Sequence, residues 1–153
     1  MTVAERIADA TSHLYDVIRS PKAREAAKQP AKGNLDSLNG HKYCLVTTFK
    51  RSGEPVGTPV WFGLVDGRLY FRSYADAVKL RRIANNPRVL VGPCGARGSP
   101  RGPMIEASAR ILPPADEERA EQAIKSNYGL FRRLYEASFS MRVEGTYVEV
   151  TPE

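Results

Sequence analysis

Val56-Gly57-Thr58-Pro59-Val60-Trp61-Phe62-Gly63-Leu64-Val65, then Asp66-Gly67, then Arg68-Leu69-Tyr70-Phe71-Arg72-Ser73, is the stretch on which the fold turns. An apolar run of strand length meets Asp-Gly, and a second strand-like run returns. Asp-Gly between apolar runs signals a tight hairpin, because both residues tolerate positive φ. Ala75 to Ala84 reads as a short helix carrying Lys79, Arg81 and Arg82. Asn85-Asn86-Pro87 ends it, since proline disfavours helical geometry in the residue before it. Val89-Leu90-Val91 opens another strand, and Gly95 to Gly102 reads as a mobile, cationic, glycine-rich loop.

Upstream, Tyr43 to Phe49 is β-branched and aromatic, hence a strand. Lys50 to Pro55 turns the chain into the Val56 strand. Downstream, Pro103 to Leu112 reads as a long strand broken by Pro113-Pro114. Asp116-Glu117-Glu118 places negative charge in the first turn of a helix reaching about Asn127, where the helix dipole favours it. Leu130 to Phe139 continues as a second helical piece, and Val143 to Val150 closes with a strand. At the other end, Val3, Ile7, Ala10, Leu14 and Ile18 recur at helical spacing. Lys22 to Gly40 is polar, anchored only by Leu35 and Leu38. The predicted organisation is an N-terminal helix and linker over residues 1–40 and one β domain over 41–153. Six strands with short connections do not alternate with helices as βαβ units do. They imply a mainly β fold, an antiparallel barrel with appended helices.

The chain has 153 residues, 42% hydrophobic and 26% charged, enough for one domain with a core. No apolar run approaches the ~20 residues of a membrane span, and no secretory leader is evident, so a cytoplasmic location is expected. A net charge of +6 favours anionic partners without choosing among them. Cys44 and Cys94 lack metal-ligand spacing and read as buried reduced thiols. His13 and His41 stand far apart, so neither a zinc site nor a Ser-His-Asp triad is expected. Neither a Gly-x-Gly-x-x-Gly opening a helix nor a phosphate-loop sequence occurs. No acid–base pair stands out either, so an enzyme built on this chain would borrow its reactive group from a cofactor.

Three features could hold one. Ser73 closes a strand, the helix after it points free N–H groups back, and Lys79 lies within it; together these can cradle a phosphate. The same Lys79, Arg81 and Arg82 could equally form a solvated helix face. Pro59 inside a strand implies an edge or bulge, leaving amides near Trp61 free to meet the edge of a flat heterocycle. The alternative is an edge strand with a core tryptophan. Arg97, in its glycine loop, could grip phosphate or carboxylate, or the loop could equally be a solvated hairpin end.

Gly57 to Phe62, Asp66 to Ser73, Lys79 to Ile83, Asn86 to Val89 and Pro93 to Gly98 together resemble the flavin-reductase-like split-barrel superfamily, which includes pyridoxamine-phosphate oxidases. More narrowly they resemble its branch of deazaflavin (coenzyme F-420) dependent oxidoreductases. The resemblance covers about Tyr43 to Leu112 well and the first forty residues hardly at all. It implies a six-stranded antiparallel split β-barrel of Greek-key type working as a homodimer, with cofactor sites in the interface grooves. By motif, Ser73 and Lys79 would hold the cofactor phosphate with the backbone of Val78. Thr58, Pro59 and Val60 would line the ring with Trp61 nearby, and Arg97 would reach the phosphate or the acidic tail.

Members using FMN are expected to carry an Arg and a Lys along the second strand, but Val56 to Val65 has no charged residue. That shifts the expectation from FMN to F-420 and to hydride transfer onto an electron-poor small molecule. The alternatives are an FMN- or haem-binding protein of the same fold, a non-catalytic F-420 carrier, or a basic single-strand nucleic-acid binder on Tyr70-Phe71-Arg72. Tyr70 and Tyr128 are proton-donor candidates by chemistry alone.

Overall fold

The structure is a computed structural model and describes residues 22–129 and 144–153. The helices expected at Val3–Ile18 and Leu130–Phe139 lie outside the described residues.

Seven strands form one antiparallel sheet: β1 (Cys44–Phe49), β2 (Pro55–Val60), β3 (Phe62–Val65), β4 (Arg68–Tyr74), β5 (Arg88–Pro93), β6 (Ile105–Ile111) and β7 (Gly145–Pro152). Their order is β2-β1-β5-β6-β7-β4-β3. Among the described residues three α-helices attach to it: α1 (Lys22–Ala26), α2 (Val78–Asn85) and α3 (Glu117–Tyr128). Among the described residues, no helix is long and apolar enough to cross a membrane.

The seventh strand corrects the sequence reading. Val56 to Val65 reads as one strand, but Trp61 divides it into β2 and β3. The two halves lie at opposite edges of the sheet, yet only Trp61 separates Val60 from Phe62. Two α-carbon steps span at most about 7 Å. The sheet therefore curls until its edges meet at Trp61, which makes it a half-barrel of the split-barrel kind. Pro55 and Pro59 both sit in β2, an edge strand, where a missing N–H costs least.

The Asp66-Gly67 turn forms as its chemistry dictates. Asp66 has φ 52 and Gly67 has φ 76, and Val65 pairs with Arg68 across the turn. Gly95 to Gly102, read as a cationic loop or a hairpin end, is a closed hairpin-like turn. Gly98 N–H donates to Gly95 O (2.9 Å), Gly95 N–H to Ser99 O (3.0 Å) and Arg101 N–H to Pro93 O (2.8 Å), while Cys94 bridges Pro100. Glycine and proline mark a turn there, and backbone hydrogen bonds close it.

Strand alternation sorts the side chains. Cys44, Val46, Phe62, Leu69, Phe71, Val89, Val91, Val148 and Val150 fill the barrel, closed by Leu80 and Ile83 of α2 and by Leu35 and Leu38 of the linker. On the outside, α3 covers Tyr70 and Tyr147 with Ala120, Ala123 and Ile124. The segment around α1 covers Leu45, Leu90 and Met104 through Ala23, Ala26 and Ala27. Ala31 then pairs in parallel with Ile105, tying the linker to β6. Cys44 and Cys94 are buried free thiols. Burial pushes the Cys44 thiol well above its ordinary value, with Cys94 adding to the effect. Burial pushes Cys94 up to about 12 despite Arg101. Neither is a ready nucleophile.

Candidate functional site

The last turn of α3 locks the seam where the sheet edges meet. Phe62 N–H donates to Tyr128 Oη (2.7 Å), and that hydroxyl donates to Lys42 O (2.8 Å). Asn127 Nδ2 donates to Phe62 O (3.1 Å) and to His41 O (3.2 Å). Lys42 Nζ reaches Asn127 O and lies 5.4 Å from the Tyr128 ring centre. Two side chains from one helix end thus hold the chain entering β1 against the start of β3. Trp61 is half-buried and stacks on Tyr128, with centroids 4.5 Å apart and planes at 17°. It belongs to the outer layer under α3, not to the barrel interior. The amide following Trp61 is committed to Tyr128, so the ring-facing amides expected there do not include that of Phe62. Nothing in the sequence announces this latch, because Asn127 and Tyr128 look like an ordinary helix end.

Thr58, Pro59 and Val60 form the end of β2, with Thr58 half-buried and Pro59 and Val60 buried. The closed turn carrying Arg97 folds against them: a methyl group on Gly98 would lie 3.7 Å from Pro59 Cδ and 3.4 Å from Leu45 Cδ1. Arg97 itself is exposed. The structure therefore brings the Arg97 turn to the Thr58–Val60 edge.

Ser73, Val78 and Lys79 sit at the end of β4 and the start of α2. The helix begins at Val78 rather than near Ala75, after a turn closed by Ala77 N–H to Tyr74 O (3.0 Å). Its N-cap is Ala77, which offers no capping oxygen, and its first turn has no acidic residue. Asp76, just before the N-cap, is exposed. Val78 is exposed and Lys79 half-buried. Ser73 alternates in phase with Leu69 and Phe71, which face the barrel, and its Oγ is buried without a hydrogen-bond partner among the described residues. The hydroxyls of Thr47 and Thr48 share that condition. Such a group costs about 1–3 kcal/mol when left unpaired.

In β4, Arg72 to Tyr74 pair with β7 but extend past Phe62, where β3 begins. Continuing the β3–β4 register by two residues would set Ser73 level with Val60. Val60 at the end of β2 and Ala77 and Leu80 beside the Ser73–Lys79 turn belong to the same core cluster.

A second polar cluster lies under α3. Glu149 is 4% exposed and accepts from Tyr70 Oη (2.8 Å), Arg119 Nη2 (3.1 Å) and Arg110 Nη2 (3.3 Å), with Arg68 at 3.7 Å. Burial opposes its ionisation, but the Tyr70 hydroxyl and the Arg110 and Arg68 guanidiniums outweigh burial and hold the carboxyl below its ordinary value. Burial, then the bond to Glu149, raises Tyr70. Tyr147 Oη donates to Glu121 Oε1 (2.7 Å) beside it. Tyr70 and Tyr128 are thus both engaged in the frame, each with its hydroxyl donated. Among the described residues no group of three His, Cys, Asp or Glu is placed to hold a metal.

An antiparallel half-barrel of the split-barrel kind, with an uncapped helix start, defines the class. The profile of the pyridoxamine 5'-phosphate oxidase family matches residues 33–152, and the chain belongs to that family. Similar solved structures include an FAD-binding protein from Mesorhizobium loti, 18% identical, covering 76% of this chain and 83% of its own, at TM-score 0.54. HutZ, a heme storage protein from Vibrio cholerae, is 13% identical over 79% of this chain and 92% of its own, at TM-score 0.57. An F-420 reductase is 18% identical over 80% of this chain and 95% of its own, at TM-score 0.52. At these identities the likeness is one of fold. No curated protein matches the chain.

Proposed function

We propose that the chain is an oxidoreductase that binds reduced coenzyme F-420 in the barrel split, as a homodimer, and passes hydride to an electron-poor small molecule. The observation carrying this reading is Ser73 Oγ, buried and unpartnered, beside a helix start that no side chain caps. A phosphate supplies acceptor oxygens for that hydroxyl and for the first N–H groups of α2 at once, and the dipole of α2 favours its charge. Lys79 adds an ammonium in the same turn. Ser73 Oγ is enclosed, so a ligand oxygen reaches it only after a local rearrangement. Thr58, Pro59 and Val60 offer an uncharged edge for a ring, with Trp61 beside it and the Arg97 turn against Pro59.

A bound deazaflavin supplies two-electron chemistry at a ring carbon. This chain would bind and orient it, hold the acceptor against one face and keep water out. The uncharged β2 favours F-420 over FMN. The structural likenesses to an FAD-binding protein and to a heme storage protein make FMN and haem the competitors to test.

Titration of the protein with F-420, FMN, FAD and haem, followed by fluorescence or absorbance, tests the reading. F-420 is expected to bind below ~10 μM, about −7 kcal/mol or better. Tighter binding of FMN or haem would remove the F-420 assignment. Binding of F-420 without turnover of any quinone, enone or nitroaromatic acceptor would make the chain a carrier rather than a reductase.

Lys79→Ala is expected to weaken F-420 binding by at least ~1.5 kcal/mol, roughly tenfold, as loss of a charge-assisted contact does. Ser73→Ala should weaken binding while stabilising the free protein slightly, because it removes an unpaired buried hydroxyl. An unchanged affinity in both variants would move the cofactor elsewhere.

A further inference from the structure

We infer a separate anion site at the other end of α2. A cleft of about 490 Å³ opens between the turn after β1, the last turn of α2 and the start of β5. Lys50, Arg51, Arg82 and Arg88 line it together with Asn85 and Phe49, and no carboxylate does.

Several of these groups are held in place from outside the cleft. Arg88 stacks 4.5 Å over the Phe49 ring and bonds Glu106 through Nη2 at 2.9 Å. Lys50 pairs with Glu54 at 3.2 Å, and Glu54 also pairs with Arg24 at 2.9 Å. The turn itself is closed by Gly53 N–H to Lys50 O (2.8 Å) and Lys50 N–H to Glu54 O (3.0 Å). Cations fixed by second partners lose less freedom on meeting a ligand. The C-terminal end of α2 contributes about half a negative charge, and Glu54 and Glu106 offset Lys50 and Arg88 from outside the lining, yet the four cations still exceed these together. The chemistry suits a compact, multiply charged anion, a polycarboxylate or a phosphorylated small molecule, gripped by guanidinium forks with amide donors beside them. Ser73 and the N–H groups opening α2 lie at the opposite end of that helix, so this site is distinct from the proposed cofactor cradle.

Citrate and inorganic pyrophosphate are the probes, titrated into the full chain while the amide signals of Gly53, Asn85 and Asn86 are followed by NMR. Saturable shifts are expected, with affinity falling about fivefold or more in Arg51→Gln and in Arg82→Gln. Arg81→Gln is the control, because Arg81 is exposed on the same helix, does not line the cleft and removes the same charge. It should leave affinity within twofold of the parent, a difference of about 0.4 kcal/mol. Shifts that rise linearly without saturation would overturn the site. So would an Arg81→Gln loss equal to that of Arg82→Gln, which would reduce the effect to general charge. Unchanged amide spectra in the absence of anion establish that each variant is folded.

Discussion

Gly63→Ala is expected to destabilise the fold by about 3 kcal/mol or more, at the upper end of what overpacking costs. A methyl group at Gly63 would overlap the carbonyl of Ala123 in α3, which is backbone and cannot rotate away. The helix must lift or β3 must bend. Either movement pulls Tyr128 from Phe62 N–H and so loosens the seam. Gly67→Ala is the control. A methyl group there meets nothing within 4 Å, so only its positive φ of 76 opposes the change, at a cost of roughly 1–2 kcal/mol. Denaturant unfolding should rank the two variants in that order. A Gly63→Ala protein as stable as Gly67→Ala would mean that α3 does not bear on β3 as described.

Glu149→Gln is expected to cost about 2–3 kcal/mol near neutral pH. It removes the one charge that three guanidiniums and the Tyr70 hydroxyl converge on. The guanidiniums are about half exposed and recover some hydration, which keeps the loss below that of a fully buried pair. The sign of the pH dependence follows from the lowered pKa of Glu149. A carboxyl whose folded value is depressed contributes its stability above its unfolded value, near 4.3, and loses it as pH falls through the folded value. The gap between parent and Glu149→Gln should therefore be widest near pH 7 and shrink below about pH 4. A gap that stays constant down to about pH 3 would show that the ionised carboxylate is not what holds the cluster.

The parts of the fold legible in the sequence were those set by local chemistry. Asp66-Gly67 specified a hairpin because few other pairs accept two positive φ values in succession. Leu35 and Leu38 were the only anchors in a polar linker, and they are 2% and 0% exposed. The break at Trp61 was not legible. A strand that changes neighbours keeps its apolar composition, and Pro59 signals an edge without saying which edge or how many. Around Arg97, glycine and proline reveal a bend but do not choose between a loose loop and a hydrogen-bonded hairpin end, and the structure has the latter.

The candidate site divided along the same line. Ser73 and Lys79 stood out by their place at a strand end and a helix start. Asn127 did not, and Tyr128 did so only as a hydroxyl and not as a latch, since their partners lie 65 or more residues away in the chain. Glu149 looked like one alternating position in a closing strand. Its three arginines come from the start of β4, from β6 and from α3, a convergence that only the register of β6, β7 and β4 creates.

The prolines of β2 bear on assembly. With Pro55 and Pro59 supplying no N–H on the outer margin of β2, and with the Phe62 amide and carbonyl of β3 already taken by α3, neither border of the sheet offers a regular ladder to a newcomer. A second strand laid along either border would therefore meet an interrupted row of partners, at Pro55 and Pro59 on one side and at Phe62 on the other. Such interruptions work against the ribbon-like stacking to which exposed strands are prone.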